Sequence, residues 1–361
     1  MRRSLLRVLL PTLPLLIGCN PQYPNPFEDA TQTPTVPPPP GTALVFTSDA
    51  WATAPGRGRE LMAVALDGGG LTRLTFCDDG ASRLCDTGEA ALAPDQLRAA
   101  VRRALDTNGD GRVADPGDDA SLVYVDLSRQ GEAELLAASA RVSGVDWSPA
   151  ADLLVYSANG GGGEDLFRTN PQRPTADNAQ GTVNLSCPGV GTTPGSCDAS
   201  VAERRGRIDD TGSIAAFERT VGDGPTEVWI FQTTVQQFRI TAAPLGGAPL
   251  AGSPYREGSD ADPDFSPDGR SVVFRHLASV QGRGSWEIRQ AAVNGTSLAT
   301  LVSGAAWRGA PDWGQDGIVF PESDAASTRL VLIQPDGSGR RELVSFPAGY
   351  RIDNPRWLRT R

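Results

Sequence analysis

The residues best placed for chemistry form a run of oxygen donors, Asp106-Thr107-Asn108-Gly109-Asp110-Gly111-Arg112-Val113. Donors at loop positions 1, 3 and 5, glycine at 6, a carbonyl at 7 and an apolar residue at 8 make the front half of a calcium-binding loop. The expected cofactor is a structural calcium ion held by Asp106, Asn108, Asp110 and the Arg112 carbonyl. Position 12 is Gly117, where a bidentate glutamate belongs, so Asp115, Asp118 or Asp119 has to close the shell. No helix is expected beyond the loop, because Ser121 to Leu127 reads as a strand. The competing reading is a solvated Asp/Asn/Gly turn.

Five cysteines give the second set of reactive groups. One, Cys19, follows Leu16-Ile17-Gly18, a lipobox that marks it for acylation. The other four fall into two close pairs, Cys77 with Cys85 and Cys187 with Cys197. Each pair is expected to staple a loop in an oxidising compartment. Zinc is the rival, but the short Cys-x-x-Cys spacing and a nearby histidine are both missing. The single histidine, His276, reads as a surface or loop residue, and no Gly-x-Ser-x-Gly elbow occurs. On these grounds no catalytic residue is assigned and the chain is expected not to be an enzyme.

These groups have to be held by a scaffold, and the scaffold shows itself as a repeat. Its sharpest copy is Asp262-Pro263-Asp264-Phe265-Ser266-Pro267-Asp268-Gly269, followed by the apolar run Val272-Val273-Phe274. Proline presets φ, aspartate caps its own backbone and glycine takes the positive φ, so the stretch reads strand, tight turn, strand. With Phe265 as anchor, the equivalents are Leu92, Trp147, Ile208 and Trp313, spaced by 55, 61, 57 and 48 residues. Trp357 begins a sixth copy that stops after one strand. Its missing strands lie near the other end: Ala43 to Thr47, Glu60 to Leu66, and Leu71 to Thr75. A radial array of four-stranded sheets leaves an open edge unless it closes on itself, and pairing the last strand with the first three closes it. The expected fold is all-β, a six-bladed propeller over 42–361.

The first strand of each blade lies beside the central channel. The residues just before the anchors are Ala91, Asp146, Arg207, Asp264, Asp312 and Arg356. Two readings stand for the charged five. They are ion pairs between neighbouring blades, or a polar channel mouth that binds a ligand or a partner's peptide end.

The repeats resemble the TolB-type, WD-repeat-like propeller family, whose unit carries the Phe-Ser-Pro-Asp-Gly turn seen at 265–269. The resemblance covers roughly 42–360 and implies the propeller together with a propeller face used for docking. The TolB family carries a separate α/β domain ahead of its blades. In this chain the tether leads directly into strand residues, so the family's Tol–Pal role is not carried over.

The N-terminus reads as an address. Arg2, Arg3 and Arg7 precede an apolar run from Val8 to Ile17 that is too short and proline-broken to span a bilayer. Residues 1–19 are the expected lipoprotein signal and lipobox, and two or three acyl chains on Cys19 suffice for stable anchoring. Residues 20–41 hold eight prolines and are expected to be an extended, disordered tether reaching roughly 65 Å. Net charge is −10 and no lysine is present. That acidity argues against nucleic acid and against adhesion to anionic lipid. The expected protein is a monomeric, lipid-anchored envelope module, at the outer membrane in preference to the inner, that binds a protein or glycan partner. The alternatives are a carbohydrate-active or other hydrolytic enzyme using channel carboxylates, and a calcium-dependent sensor or adhesin.

Overall fold

The computed structural model describes residues 31–358 apart from 33–34, 53–54, 79–83, 108, 110, 112, 114–118, 129–130, 137–141, 149–152, 160–162, 171–182, 187–199, 233–235 and 244–245. Among the described residues every element is a strand and none is a helix. Six antiparallel sheets follow one another around a ring. Blade 1 is Cys85–Leu92, Arg98–Leu105, Asp119–Asp126 and Gly131–Leu136, and blade 2 is Ser143–Ser148, Leu153–Asn159, Glu164–Thr169 and Val183–Asn184. Blade 3 is Val201–Ile208, Ile214–Val221, Glu227–Gln232 and Gln236–Arg239, and blade 4 is Asp260–Phe265, Ser271–Ser279, Ser285–Ala292 and Leu298–Val302. The inner strand of blade 5 is broken into Trp307–Arg308 and Asp312–Gly314, followed by Gly317–Ser323, Ser327–Ile333 and Arg341–Pro347. Blade 6 joins Ile352–Trp357 to Thr42–Ser48, Glu60–Ala65 and Thr72–Arg73. The expected closure is therefore present, with Leu44 paired to Trp357.

The core is divided as a closed ring requires. Six apolar clusters lie one at each blade boundary. Leu122, Trp147 and Tyr156 fill the space between blades 1 and 2, and Val155, Leu166 and Phe217 that between 2 and 3. Ile230, Phe265 and Phe274 follow between blades 3 and 4, then Val273, Trp313 and Phe320 between 4 and 5. Phe46, Leu330 and Trp357 seal blades 5 and 6, and Val45, Leu61 and Val101 seal 6 to 1. Opposite faces of one strand serve opposite boundaries, as the period-2 alternation demands. Val272 and Phe274 face blade 3 while Val273 faces blade 5. The turn of the sharpest repeat forms as expected. Gly269 has φ 68°, its N–H donates to the Ser266 carbonyl at 2.8 Å, and the Asp268 carboxylate accepts from Ser266 Oγ at 2.6 Å.

Two expectations change. Residues up to Gly41 were expected to be free tether, but from Thr31 onward the described residues lie against the blades. Thr31 and Gln32 add a fifth strand to the outer edge of blade 1, opposite Glu132 and Gly131. Thr35 is buried and its hydroxyl donates to the Asp126 and Leu127 carbonyls, while Val36 N–H donates to Leu74 O. Unpaired edge groups recruit any extended segment within reach, which outweighs the disorder expected from proline content. His276 sits within the second strand of blade 4, where its Nδ1 lies 2.8 Å from Asp260 Oδ1.

Candidate functional site

The five charged residues before the anchors do meet in the interior, but their work is structural. Asp146 accepts the backbone N–H of Ile208 at 2.9 Å, across the boundary between blades 2 and 3. Asp264 accepts that of Trp313 at 2.7 Å, and Asp312 that of Trp357 at 2.7 Å. Each carboxylate thus ties one blade to the anchor residue of the next. Arg356 adds a 3.3 Å contact to Asp312, whereas Arg207 donates to the Val145 and Gly206 carbonyls. Burial first, then Arg356 nearby, pushes the Arg207 guanidinium below its ordinary pKa. Of the two readings of Asp146, Arg207, Asp264, Asp312 and Arg356, the tie between neighbouring blades describes the three aspartates. A buried backbone N–H has to find an acceptor, and these carboxylates are its acceptors. Beside Asp146 and Arg356 a small cavity of about 20 Å3 lies among blades 1, 2 and 6.

The opposite end is open. A cavity of about 360 Å3 is lined by residues from all six blades: Arg59, Asp353 and Asn354; Gly88, Glu89 and Arg102; Ser143; Arg205; Arg275; Trp307, Gly309 and Ala310. A wall drawn from every blade identifies it as the axial mouth. Two registers supply the polar lining. One lies three residues before the anchor, at Glu89, Arg205 and Asn354. The other lies one residue beyond the apolar position that follows the anchor by nine, at Arg102 and Arg275. The equivalent in blade 3 is Glu218, buried just behind the wall.

The first register sits on bulges. Arg205 has φ 51°, Asp262 51°, Asn354 46° and Gly144 65°. The strand pairing slips between Arg204 and Arg207 and between Ala261 and Asp264. A bulge re-aims a side chain, and here it swings residues from the sheet faces toward the axis. Gly144 has no alternative, because a Cβ there would stand 2.5 Å from the Arg205 Cα.

Most of the charge around the mouth is paired. Arg59 Nε lies 2.8 Å from Asp86 Oδ1 and its Nη1 2.8 Å from Asp353 Oδ2. Burial opposes ionisation of Asp86, but the Arg59 guanidinium outweighs it and holds that carboxyl low. Arg205 and Arg275 both bond Asp262. Burial would raise Asp262, yet the two guanidiniums hold it far below the usual carboxylate range. Glu218 accepts from Asp262 N–H at 2.7 Å and from the Tyr255 hydroxyl at 3.1 Å, and burial pushes its carboxyl up. Arg275 stacks over Trp286, 4.0 Å from the ring centre. The result is a rigid, charge-lined rim around an open well.

The other candidates fall as follows. Cys77 and Cys85 form the expected disulfide, with Cα atoms 6.0 Å apart. Glu60 lies close to both sulfurs, but its carboxylate is spent on Arg73 at 3.0 Å, Asp78 N–H at 2.8 Å and the Thr75 hydroxyl. In the calcium loop, Asp106 accepts from Gly109 N–H at 2.7 Å and Gly111 N–H at 3.0 Å. The other ligand candidates, Asn108, Asp110, Arg112, Asp115 and Asp118, lie outside the described residues, as do Cys19, Cys187 and Cys197.

Sequence reading chose the wrong register for the ligand-facing ring. It took the position before each anchor, where sign alternates most visibly. The signal it passed over was the arginine one step past the closing apolar residue, Val101-Arg102 and Phe274-Arg275.

No protein-family model matches the chain, and no curated protein matches it in sequence. Solved structures do match in fold. TolB from Acinetobacter baumannii superposes with TM-score 0.58 at 14% identity, over 89% of this chain and 68% of that one. A putative TolB from Agrobacterium tumefaciens gives 0.52 at 15%, over 88% and 97%. A chain of a nidogen/laminin complex gives 0.56 at 8%, over 89% and 100%. The expectation that the chain is not an enzyme is overturned by two further matches. Prolyl endopeptidases match with TM-score 0.50 at 11% identity, over 92% of this chain and 53% of theirs. The tricorn protease matches with 0.50 at 12%, over 84% and 26%. The same architecture forms part of enzymes, so neither the propeller nor the scarcity of histidine excludes catalysis. At these identities the likeness fixes architecture alone: the chain is a six-bladed β-propeller similar in fold to TolB.

Proposed function

We propose that this propeller is a binding module of the cell envelope that engages a protein or glycan partner through the wide axial mouth. The observation that carries this reading is the cavity of about 360 Å3 lined from all six blades. Lipidation of Cys19 would anchor the module, at the outer membrane in preference to the inner. The spacer is then shorter than sequence alone suggests. With Thr31 seated on blade 1, residues 20–30 span roughly 35 Å when extended. The module acts as a monomer in this reading, with Cys187–Cys197 stapling a loop. Calcium at the Asp106 loop would stiffen the hairpin between Arg98–Leu105 and Asp119–Asp126.

The test is photocrosslinking in the native envelope. A crosslinking residue at Trp307, on the wide mouth, is expected to capture a defined partner, and one at Gln96, at the opposite end of the inner strands, is not. Equal capture at both positions, or none at Trp307, rejects the docking role. Cys19→Ser in the same cells is expected to release the module from membranes. Melting the purified propeller in calcium and in chelator reads the loop: superimposed curves remove the ion.

A further inference from the structure

Two charged side chains in the walls of the axial mouth, one cation and one anion, lie near opposite charge but make no contact ion pair among the described residues. Arg59 is matched by Asp86 and Asp353, and Arg205 and Arg275 share Asp262. Arg102 is different. Its Nε donates to the Val142 carbonyl at 3.0 Å, and no carboxylate comes within ion-pair distance of it among the described residues. Glu89 is 8% exposed, and its Oε2 has no hydrogen-bond partner. These two residues face each other directly across the inner pair of strands in blade 1. Cross-strand neighbours have Cβ atoms only about 4.5–5.5 Å apart, so opposite charges placed there ordinarily pair. Here they do not.

Gly88 explains part of this. A Cβ at that position would stand 2.8 Å from Arg102 Nη1 and 3.0 Å from Arg59 Nη2. The missing side chain is the space that receives the Arg102 guanidinium. Both side chains line the same cavity, and its about 360 Å3 falls within the size range of small-molecule sites.

An unpaired buried charge is unfavourable, and a ligand bearing the complementary charges removes that penalty. We propose that the axial mouth binds a free α-amino acid. Its carboxylate engages Arg102 and its ammonium group engages Glu89. A guanidinium offers a planar fork to a carboxylate, and a carboxylate accepts strongly from an ammonium group. The matched cations at Arg59, Arg205 and Arg275 set the rim and leave the side-chain end of the ligand toward the axis. The site shares the wide mouth with the proposed docking role, but its test uses purified protein and no envelope partner, so each can fail separately.

Isothermal titration calorimetry of the whole propeller with each standard L-amino acid is the direct experiment. At least one is expected to bind at millimolar affinity or better. Its N-acetyl and amide derivatives, each lacking one charge, should bind at least about tenfold more weakly. Arg102→Gln and Glu89→Gln should each produce a similar loss, with melting temperatures reported alongside to show that the blades remain folded. Gly88→Ala, which keeps both charges but crowds the Arg102 guanidinium, should weaken binding as well. Because the derivative series is run on wild-type protein, it decides the matter even if a variant misfolds. Absence of binding by every amino acid overturns the proposal. So does equal affinity for the N-acetyl form. A dipeptide that binds more tightly than any amino acid reassigns the site to a peptide end and overturns the proposal in this form.

Discussion

The two ends of the channel are built from the same inner strands, yet they use charge in opposite ways. Near the anchors Asp146, Asp264 and Asp312 each spend a carboxylate oxygen on the next blade's backbone N–H, although Arg207 Nε and Arg356 Nε and Nη2 find no partner. At the open end the bulges at Arg205, Asp262 and Asn354 distort the inner strands, Glu89 Oε2 has no partner, and Arg102 makes no contact ion pair among the described residues. Two residues of register separate a tie from a lining position. Charge on an inner strand therefore says nothing by itself about ligand binding. What matters is whether a neighbouring blade consumes it.

The largest effect should come from the pivot that stiffens the open end. Asp262 is shared by Arg205 and Arg275 and is almost wholly buried. Asp262→Asn leaves two partly or wholly buried guanidiniums without their carboxylate, and should cost about 3–5 kcal/mol of stability. The pH dependence sharpens this. An unfolded aspartate titrates near about 3.9, and the folded one is held far below that. Its contribution is therefore complete above that unfolded value and is lost as pH falls through the lower folded value. Denaturant melts across the acid range should show a steep acid limb in wild type that flattens in Asp262→Asn. An unchanged limb would mean that Asp262 is no pivot.

Next in size is the covalent staple in the connection leading from blade 6 to blade 1. Cys85→Ala opens the Cys77–Cys85 loop, with a separation of 8 residues, and should cost about 2–3 kcal/mol by loop entropy. Reducing agent should lower the melting temperature of wild type by the same amount and leave the variant untouched. Asp146→Ala comes third. It strips the Ile208 N–H of its acceptor and should cost about 1–3 kcal/mol, read as a lower denaturant midpoint. A neutral result would place Asp146 with the lining residues and erase the difference between the two ends.

The fold was legible because a repeat announces itself many times over. One sharp turn, Ser266 to Gly269, and an apolar residue nine places past four of the anchors locate the blades even where the motif has eroded to Leu92 or Ile208. The closing strand at Trp357 was legible from incompleteness alone. The channel was half legible. Sequence period places a residue on the inner strand, but the bulges that rotate Arg205 and Asp262 depend on how blades pack, and an arginine gives no sequence signal of positive φ. The seating of Thr31 on blade 1 was not legible, since it is decided by a sheet edge a hundred residues away. Second-strand arginines such as Arg102 and Arg275 were visible as residues, but their significance depends on which partners the fold supplies.

The smallest expected effect is the most discriminating. Glu89→Gln removes a carboxylate that is 8% exposed and has an oxygen without a partner. A tie such as Asp146 loses stability when its charge goes, because a donor is stranded. Glu89 strands nothing, and a buried charge without a partner is itself unfavourable. Glutamine keeps the volume and the strand register while removing that charge. The melting temperature should therefore stay level or rise, in contrast to the fall expected for Asp146→Ala. Arg102→Gln should also be mild, since the one hydrogen bond it forfeits, to the Val142 carbonyl, is worth only about 1 kcal/mol. If Glu89→Gln instead lowers stability by more than about 1 kcal/mol, Glu89 is consumed by the fold as Asp146 is. The open end would then be a second set of ties around a water-filled gap, with no free charge to offer a ligand.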